Sequence, residues 1–184
     1  MKCIGCQTLT VVGNCCQSCQ KLYQNAWCVG VRDGVLQRLI GNFKFQRLYA
    51  AYQPLADLLD KTVDQLPAGT IVVPIPTVSA HIRERGYDHM AMISRRFARR
   101  RGLNMRPLLR RRTNTKQRDA TARQREAQAK VAFTAVGMLD PSVPYLLIDD
   151  VVTTGATIKY AAQVLRQAGA EVIYVAVIAR QTLD

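Results

Sequence analysis

The chain contains, at residues 147–157, the stretch Leu-Ile-Asp-Asp-Val-Val-Thr-Thr-Gly-Ala-Thr. The apolar residues 145–148 lead into two adjacent carboxylates. A turn of threonines and one glycine follows, and residues 157–168 then place apolar side chains at helical spacing. This pattern predicts a buried strand that ends in two acids, then a tight turn, then a helix. We therefore expect a functional site at the end of this strand, since ligands of α/β proteins bind where parallel strands end.

The turn in this stretch has the chemistry of a phosphate site. A glycine after a strand lets the backbone approach an anion closely, and the amides at a helix N-terminus favour a phosphate. The two carboxylates cannot bind that phosphate, but they suit ribose hydroxyls or a metal beside it. The sequence therefore predicts a sugar-phosphate site with the diol on Asp149 and Asp150. The phosphate loop would comprise Thr153, Thr154, Gly155, Ala156 and Thr157.

A simpler alternative is a helix that is capped by a threonine after an ordinary loop. Capping explains one threonine, but it does not explain two acids at the end of a buried strand next to a Thr-Thr-Gly-x-Thr loop. Other phosphate-binding motifs are missing, because the chain contains neither the GxxxxGK[ST] nor the GxGxxG pattern. The ligand interpretation is therefore favoured.

Elsewhere, apolar runs alternate with segments of helical spacing. Residues 70–75 and 172–179 are apolar and β-rich, and residues 88–101 place apolar side chains on one face of a helix. This alternation predicts an α/β fold with a parallel sheet flanked by helices. The other predicted elements are helices at residues 35–40 and 47–59, a link at residues 26–34, and a mobile basic loop leading into a helix at residues 110–130.

All six cysteines lie within the first 28 residues, and four of them form two Cys-x2-Cys pairs. Two such pairs predict four thiolates around a structural Zn²⁺, which would supply the folding energy of this short segment. The pairs are Cys3 with Cys6 and Cys16 with Cys19. Cys15 could replace Cys16 as a ligand, Cys28 is a spare thiol, and redox-active or incidental thiols are the alternative. We expect a zinc-binding module at residues 1–30 and a second domain at residues 31–184.

Composition excludes several classes of protein. The chain has 184 residues, 48% of them apolar, which is enough to build a core and argues against disorder. The longest purely apolar run has eight residues, 172–179, whereas a membrane-spanning helix needs about 20. The first residues contain no apolar leader segment, so we expect a cytoplasmic protein without membrane insertion.

The positive charge is concentrated in one quarter of the chain. Residues 83–130 carry 16 Lys and Arg against four Asp and Glu, a net +12 out of the +13 of the whole chain. Such a field attracts the phosphates of a nucleic acid, and the alternatives are a solvated face or a loop that clamps a small ligand. Aromatic side chains are sparse there, so contacts to phosphates are favoured over base stacking. The candidate nucleic-acid contacts are Arg99, Arg100, Arg101, Arg110, Arg111 and Arg112.

Residues 147–157 closely resemble the phosphoribosyl pyrophosphate (PRPP) signature of type I phosphoribosyltransferases. Nearly the whole chain resembles one branch of that group, the ComF/ComFC-like competence family with its GntX relatives. The resemblance includes the cysteine pairs, Lys44-Phe45, Val-Pro-Ile-Pro at residues 73–76, Arg-Glu-Arg-Gly-Tyr at residues 83–87, Gln117, Arg125 before Phe133, and the closing Ala179-Arg180. It implies a type I phosphoribosyltransferase-like fold and a role in natural transformation, where imported single-stranded DNA is handled in the cytoplasm.

The resemblance also implies roles for individual residues. It implies that Asp149 and Asp150 bind the ribose diol and that residues 153–157 bind the 5′-phosphate. It also implies that the turn with Thr77 and Ser79 is the pyrophosphate loop. Arg83 and Arg85 are our candidates to neutralise pyrophosphate, on their charge and their nearness in sequence. Mg²⁺ would bridge pyrophosphate and ribose oxygens, so a transferase would need no protein nucleophile.

The chain departs from this family at residues 88–89, where Asp-His stands in place of the expected Asn-Gln. A base- or acceptor-binding role of that segment therefore does not follow from the resemblance, and we expect His89 to lie on the surface. Three functions stay open, because a fold does not establish turnover. They are a PRPP-binding competence protein that handles single-stranded DNA with proteins of the DNA-uptake machinery, a metabolic phosphoribosyltransferase acting on a nucleobase or other small acceptor, and a non-catalytic PRPP sensor or adaptor.

Overall fold

The computed structural model describes residues 3–6, 15–112 and 132–181 of the chain. At its centre is a sheet of five parallel strands, and two further short strands form an antiparallel pair. The sheet strands are β1 (Asn25–Val31), β2 (Ile71–Pro74), β3 (Asn104–Met105), β6 (Pro144–Val152) and β7 (Val172–Arg180), in the spatial order β1-β7-β6-β2-β3. The antiparallel pair is β4 (Leu109–Arg111) with β5 (Phe133–Ala135).

Helices cover both faces of this sheet. They are α1 (Gln17–Gln20), α2 (Gly34–Phe45), α3 (Tyr52–Thr62), α4 (Ser79–Arg85), α5 (His89–Arg100) and α6 (Ala156–Gln167), and a 3-10 turn at Tyr49–Ala51 precedes α3. On one face, α2, α3 and α5 pack in a core that includes Phe43, Leu59 and Phe97. On the other face, α6 packs with the N-terminal segment in a core that includes Ile4 and Ile158. The predicted α/β fold, a parallel sheet flanked by helices, is confirmed.

Strand β6 is buried on both of its faces because it lies in the middle of the sheet. Leu146 and Ile148 belong to the core with α3 and α5, whereas Tyr145 and Leu147 belong to the core with α6. This position explains why its sequence is continuously apolar rather than alternating. The three predicted strands correspond to β2, β6 and β7.

Strand β1 replaces the link that the sequence predicts at residues 26–34. It pairs with β7 at the edge of the sheet, where Ala26 lies opposite Val175 and Gly30 opposite Ala179. Its sequence signal is weak because the strand contains a glycine and is only partly buried. The strand crosses the boundary expected at residue 30, and the division of the chain into two domains stays a prediction.

Other parts of the chain also differ from the expected elements. Residues 79–85 form α4, where the sequence predicts no element, and Arg110 and Arg111 belong to strand β4 rather than to a loop. Arg112 follows the strand and is also described. The rest of the predicted basic loop and helix, residues 113–130, lies outside the described residues. Across the part of the chain that the structure covers, no helix has the length and apolar character needed to cross a membrane.

The strand order creates a crevice between the ends of β2 and β6. These two strands are neighbours, with Val73 opposite Leu147. The chain continues from β2 to β3 on one side of the sheet and from β6 to β7 on the other side. The two following loops therefore diverge, and such a switch point is where open α/β sheets bind ligands. The fold thus brings the loop after β6 and the turn with Thr77 to the same edge.

Candidate functional site

Buried charges gather at this edge of the sheet. Among the described residues, six polar or charged side chains are buried, and four of them converge on the end of β6. These four are Arg85, His89, Asp149 and Asp150. Charged groups are costly to bury unless they are paired, and clusters of them are typical of functional sites. The geometry therefore supports a site where the sequence predicts one.

Asp150 is the centre of this cluster. Its Oδ2 atom forms an ion pair with Lys44 Nζ and lies 2.5 Å from His89 Nε2. Its Oδ1 atom accepts a hydrogen bond of 2.5 Å from the amide of Val151. Burial alone would raise the pKa of this carboxyl, but Lys44 and His89 outweigh burial and hold the pKa well below its ordinary value of 3.8. Asp150 is therefore ionised at neutral pH, and both of its oxygens are occupied by the protein itself.

His89 is buried, with 5% of its surface exposed, so its predicted surface position is wrong. Asp88 caps helix α5 by accepting hydrogen bonds from the amides of Met90 and Ala91, and this cap fixes His89 in the first turn against the sheet. Arg85 Nη1 lies 3.1 Å from His89 Nδ1. Because a guanidinium can only donate, Nδ1 is the acceptor, and the ring proton on Nε2 is donated to Asp150.

The turn after β2 meets the same cluster. Thr77 Oγ1 donates a hydrogen bond of 2.9 Å to the Asp88 carboxylate and lies 3.4 Å from His89 Nδ1. Ser79 and Arg83 are exposed on α4, whereas Arg85 is buried. Of the residues predicted for pyrophosphate, Thr77 and Arg85 therefore reach the cluster, and Arg85 is already engaged with His89.

Arg111 lies in the crevice rather than on an outer surface. Its Nη1 atom donates to the Pro76 carbonyl at 3.4 Å, and its guanidinium carbon lies 5.2 Å from the centre of the Phe133 ring. Burial lowers the pKa of Arg111, and the negative charge of Asp149 opposes that shift. The sequence assigns Arg111 to nucleic acid, but the structure places it beside Asp149 and the turn after β2.

The loop after β6 approaches the N-terminal segment. Asp149 is buried, and its Oδ1 accepts a hydrogen bond of 2.9 Å from the amide of Asp150. Gly155 has a φ of 79°, a left-handed conformation that favours glycine, and it precedes the first residue of α6. A Cβ atom at Gly155 would overlap the carbonyl oxygens of Ile4 and Gly5, so the chain here requires glycine for space as well. The other four loop residues, 153, 154, 156 and 157, are half-buried.

Four cysteines come together at the N-terminus. The Sγ atoms of the two Cys-x2-Cys pairs all lie within 4.8 Å of one another, and those of Cys6 and Cys16 are 3.4 Å apart. A tetrahedral zinc site with Zn–S bonds of about 2.3 Å places its sulfurs about 3.8 Å apart, so the geometry fits such an ion. The buried Tyr23 hydroxyl lies beside Cys19, and a metal-bound Cys19 thiolate would accept a hydrogen bond from it.

The other two cysteines lie outside this group. Cys15 Sγ donates to the carbonyl of Cys16, and burial raises the pKa of the Cys15 thiol to about 12. Cys28 lies in β1, where its Sγ donates to the Gly30 carbonyl. The geometry therefore favours Cys16 over Cys15 as the fourth metal ligand.

The chain is similar to one curated protein over nearly its whole length. No model of a known protein family matches the chain. Competence protein F from Haemophilus influenzae is 29% identical over 207 aligned residues, which cover 97% of this chain and 90% of that protein. The chain is a homologue of Competence protein F. The solved structure of the allosteric regulatory enzyme of purine biosynthesis is 19% identical, with a TM-score of 0.45. The match covers 68% of this chain and 25% of that longer chain.

Apart from Arg111, the arginines of this chain that are predicted to contact nucleic acid divide into two groups. Arg100 and Arg101 are held by internal ion pairs with Asp60 on α3, at 3.0 Å and 2.6 Å. Arg99, Arg110 and Arg112 are exposed. The two arginine runs therefore do not form one continuous free surface, because helix–helix contacts use part of the charge.

Lys44, like His89, is a site residue that local sequence patterns do not identify. It lies in the last turn of α2, more than one hundred residues before Asp150 in the chain. The only sequence signal is the Lys44-Phe45 pair in the family resemblance. An ion pair between distant segments leaves no spacing pattern, so the structure is needed to find it.

Proposed function

We propose that this chain is a PRPP-binding competence protein on a type I phosphoribosyltransferase-like fold, which handles single-stranded DNA in the cytoplasm. The observation that carries the proposal is the pair of buried acids, Asp149 and Asp150, directly before a glycine-containing loop at the start of a helix. This arrangement offers hydroxyl acceptors and phosphate donors side by side. The homology to Competence protein F supports the role in competence.

The site would divide the parts of PRPP among its residues. The backbone amides and hydroxyls of residues 153–157 would bind the 5′-phosphate, and Asp149 would accept hydrogen bonds from the ribose diol. Asp150 would act through Lys44 and His89, because its own oxygens are occupied. Arg111 would face the pyrophosphate across the crevice, replacing the exposed Arg83 in that role.

Bound Mg²⁺ would neutralise pyrophosphate, and the carboxylate of Asp149 would share in holding it. The protein's own contribution to a transfer reaction would be fixed charge around the leaving group. Lys44 and Arg111 supply cations that are already in place before the ligand binds. No nucleophilic side chain is required for this chemistry.

Calorimetry with PRPP and Mg²⁺ tests this proposal. We expect the wild-type protein to bind PRPP and Asp149→Asn to bind it about 10- to 100-fold more weakly, because hydrogen bonds to a charged group contribute about 1.5–3 kcal/mol each. Asp140→Asn is the matched control. It removes the same charge from an exposed carboxylate before β6, at the opposite edge of the sheet. Equal affinities of all three proteins, or no binding to the wild type, would contradict the proposal.

The exposed part of the basic segment supports the nucleic-acid role. Arg110 and Arg112 have no ion pair with any described residue and extend from β4 and its end. Arg95 and Arg99 line a cavity of about 490 Å³ that also touches Asp88. Such unpaired guanidinium groups are suited to the phosphates of a single strand.

The salt dependence of DNA binding tests this role. Each phosphate contact to a single strand contributes about 0.7 to the slope of log affinity against log salt concentration. Replacing Arg110 and Arg112 together with alanine should therefore reduce the slope by about 1.4. Arg100→Ala should leave the slope unchanged, because Asp57 and Asp60 already engage that guanidinium. An unchanged slope in the double variant, or an equal loss in Arg100→Ala, would argue against this surface.

A further inference from the structure

Two large aromatic side chains are exposed beside the buried cluster. Phe45, the last residue of α2, has 65% of its surface exposed, and Tyr49, four residues later, has 50% exposed. Aromatic rings normally bury this area, so their joint exposure at one place marks an interaction surface. We refer to these two residues as the aromatic surface.

The aromatic surface is held in place by buried rings. The Tyr49 ring lies 4.5 Å from that of Tyr87, and the Tyr87 ring stacks on that of Phe43 at 5.2 Å. The Tyr87 hydroxyl donates a hydrogen bond to the Phe43 carbonyl. Tyr49 is therefore the exposed end of a stack that begins in the core. A ligand that stacks on Tyr49 would meet a ring that is already oriented.

Two arginines lie close to these residues, one in space and one in the chain. The Arg85 guanidinium lies 5.5 Å from the centre of the Phe45 ring. Arg47, between the two aromatic residues, donates to the Glu84 carbonyl at 3.2 Å and is itself exposed. Among the described residues it is the only non-glycine residue with a left-handed backbone, at a φ of 54°. Such strained residues tend to be kept where a site needs a particular chain path.

Short contacts connect the aromatic surface to the acids. Arg85 touches Phe45 on one side and His89 on the other, and His89 contacts Asp150. Lys44, which pairs with Asp150, is the residue next to Phe45. A group bound on the aromatic surface would therefore lie beside the proposed sugar-phosphate site rather than on a remote face.

We propose that Phe45 and Tyr49 form a stacking surface for the bases of single-stranded nucleic acid. The inference rests on the nucleic-acid part of the proposed function and names the contact that recognises the strand. Every base offers a flat face to an aromatic ring, and the exposed guanidinium group of Arg47 complements the charged backbone. An uncharged free base would make no use of this cation, so the charge favours a strand as the occupant.

This surface changes the expected mode of binding. Within the basic segment aromatic residues are sparse, which favours contacts to phosphates alone. The fold adds two rings from outside that segment, because α2 ends next to α4. Base stacking and phosphate contacts are then both available to one strand.

Binding of two ten-nucleotide strands, one of thymidines and one with abasic sites throughout, tests the inference. Anisotropy should show that the wild-type protein prefers the base-bearing strand. The Phe45→Ala/Tyr49→Ala double variant should lose about tenfold or more in affinity for the thymidine strand and keep its affinity for the abasic strand. Met138→Ala, which removes an apolar side chain that is 83% exposed elsewhere, should change neither affinity.

A second measurement tests the inference even if the double variant does not fold. In Phe45→Trp the new indole should be quenched by the thymidine strand and not by the abasic strand, whereas Trp27, which is 8% exposed, should not respond in the wild type. Equal binding of both strands, or an unchanged preference in the double variant, would overturn the stacking surface alone. No binding of either strand would overturn the DNA role as well, and PRPP calorimetry would still decide the sugar-phosphate site separately.

Discussion

Replacing Cys16 with serine is expected to abolish tight Zn²⁺ binding and to destabilise the N-terminal segment. Structural zinc in small modules contributes about 10–16 kcal/mol of apparent binding energy, and loss of one thiolate removes a large part of it. The loss should reach the rest of the protein as well, because Cys3 and Ile4 are fully buried against its core. The measurements are the thiolate-to-Co²⁺ charge-transfer absorption and the thermal unfolding of wild type and variant with and without a chelator.

Cys15→Ala is the matched control for this experiment. It removes the neighbouring thiol, which lies outside the group of four sulfurs and donates to a backbone carbonyl instead. We expect it to keep the Co²⁺ spectrum and to lose about 1 kcal/mol of stability, as for an ordinary small truncation. If Cys15→Ala lost the spectrum and Cys16→Ser kept it, Cys15 would be the fourth ligand.

Gly155→Ala is expected to lower the free energy of unfolding by about 3 kcal/mol or more. The left-handed backbone costs a non-glycine residue about 1–2 kcal/mol. The added Cβ would also lie 2.5 Å from the carbonyl carbon of Gly5, a backbone atom that cannot move away without displacing the turn between two of the cysteines. Urea unfolding of the zinc-loaded protein measures this loss.

Gly69→Ala separates the two causes. Gly69 has a φ of 77°, close to the 79° of Gly155, and a Cβ there would meet nothing within 4 Å. It should therefore show the backbone strain without the collision and cost about 1–2 kcal/mol. Equal losses in the two variants would mean that Gly155 does not pack tightly on the cysteine turn. Chelation of the metal should reduce the difference between the variants, since the turn would then be free to move.

The strands and helices of the central fold are predictable from the sequence. Residues 145–148 and 172–179 are continuously apolar because β6 and β7 are buried on both faces. A continuous apolar run can be recognised in the sequence without knowledge of the fold. Helix α5 is equally evident from its apolar stripe and from Asp88, which caps it. The edge strand β1 is not evident, because it is only partly buried and tolerates Gly30.

The candidate site is predictable only in its local part. The two acids and the loop at residues 153–157 follow each other in the chain, so their chemistry is visible as a motif. The partners of the acids are Lys44, His89 and Arg111, which come from three other segments of the chain. No regular spacing in the sequence connects these residues to the acids. The burial of His89 could not be predicted, because a histidine in the first turn of a helix, directly after its Asp88 cap, is compatible with either face.

A parallel α/β fold, a strand ending in two carboxylates, and two cysteine pairs are all predictable from the amino-acid order, because each depends on residues that are near one another in the chain. Three contacts are visible only in the folded protein: Lys44 and His89 with the Asp150 carboxylate, Arg111 with the crevice, and the cysteine turn with Gly155. These contacts join segments far apart in the chain. Their energy depends on distance and burial, which are properties of the folded chain and not of the order of its residues.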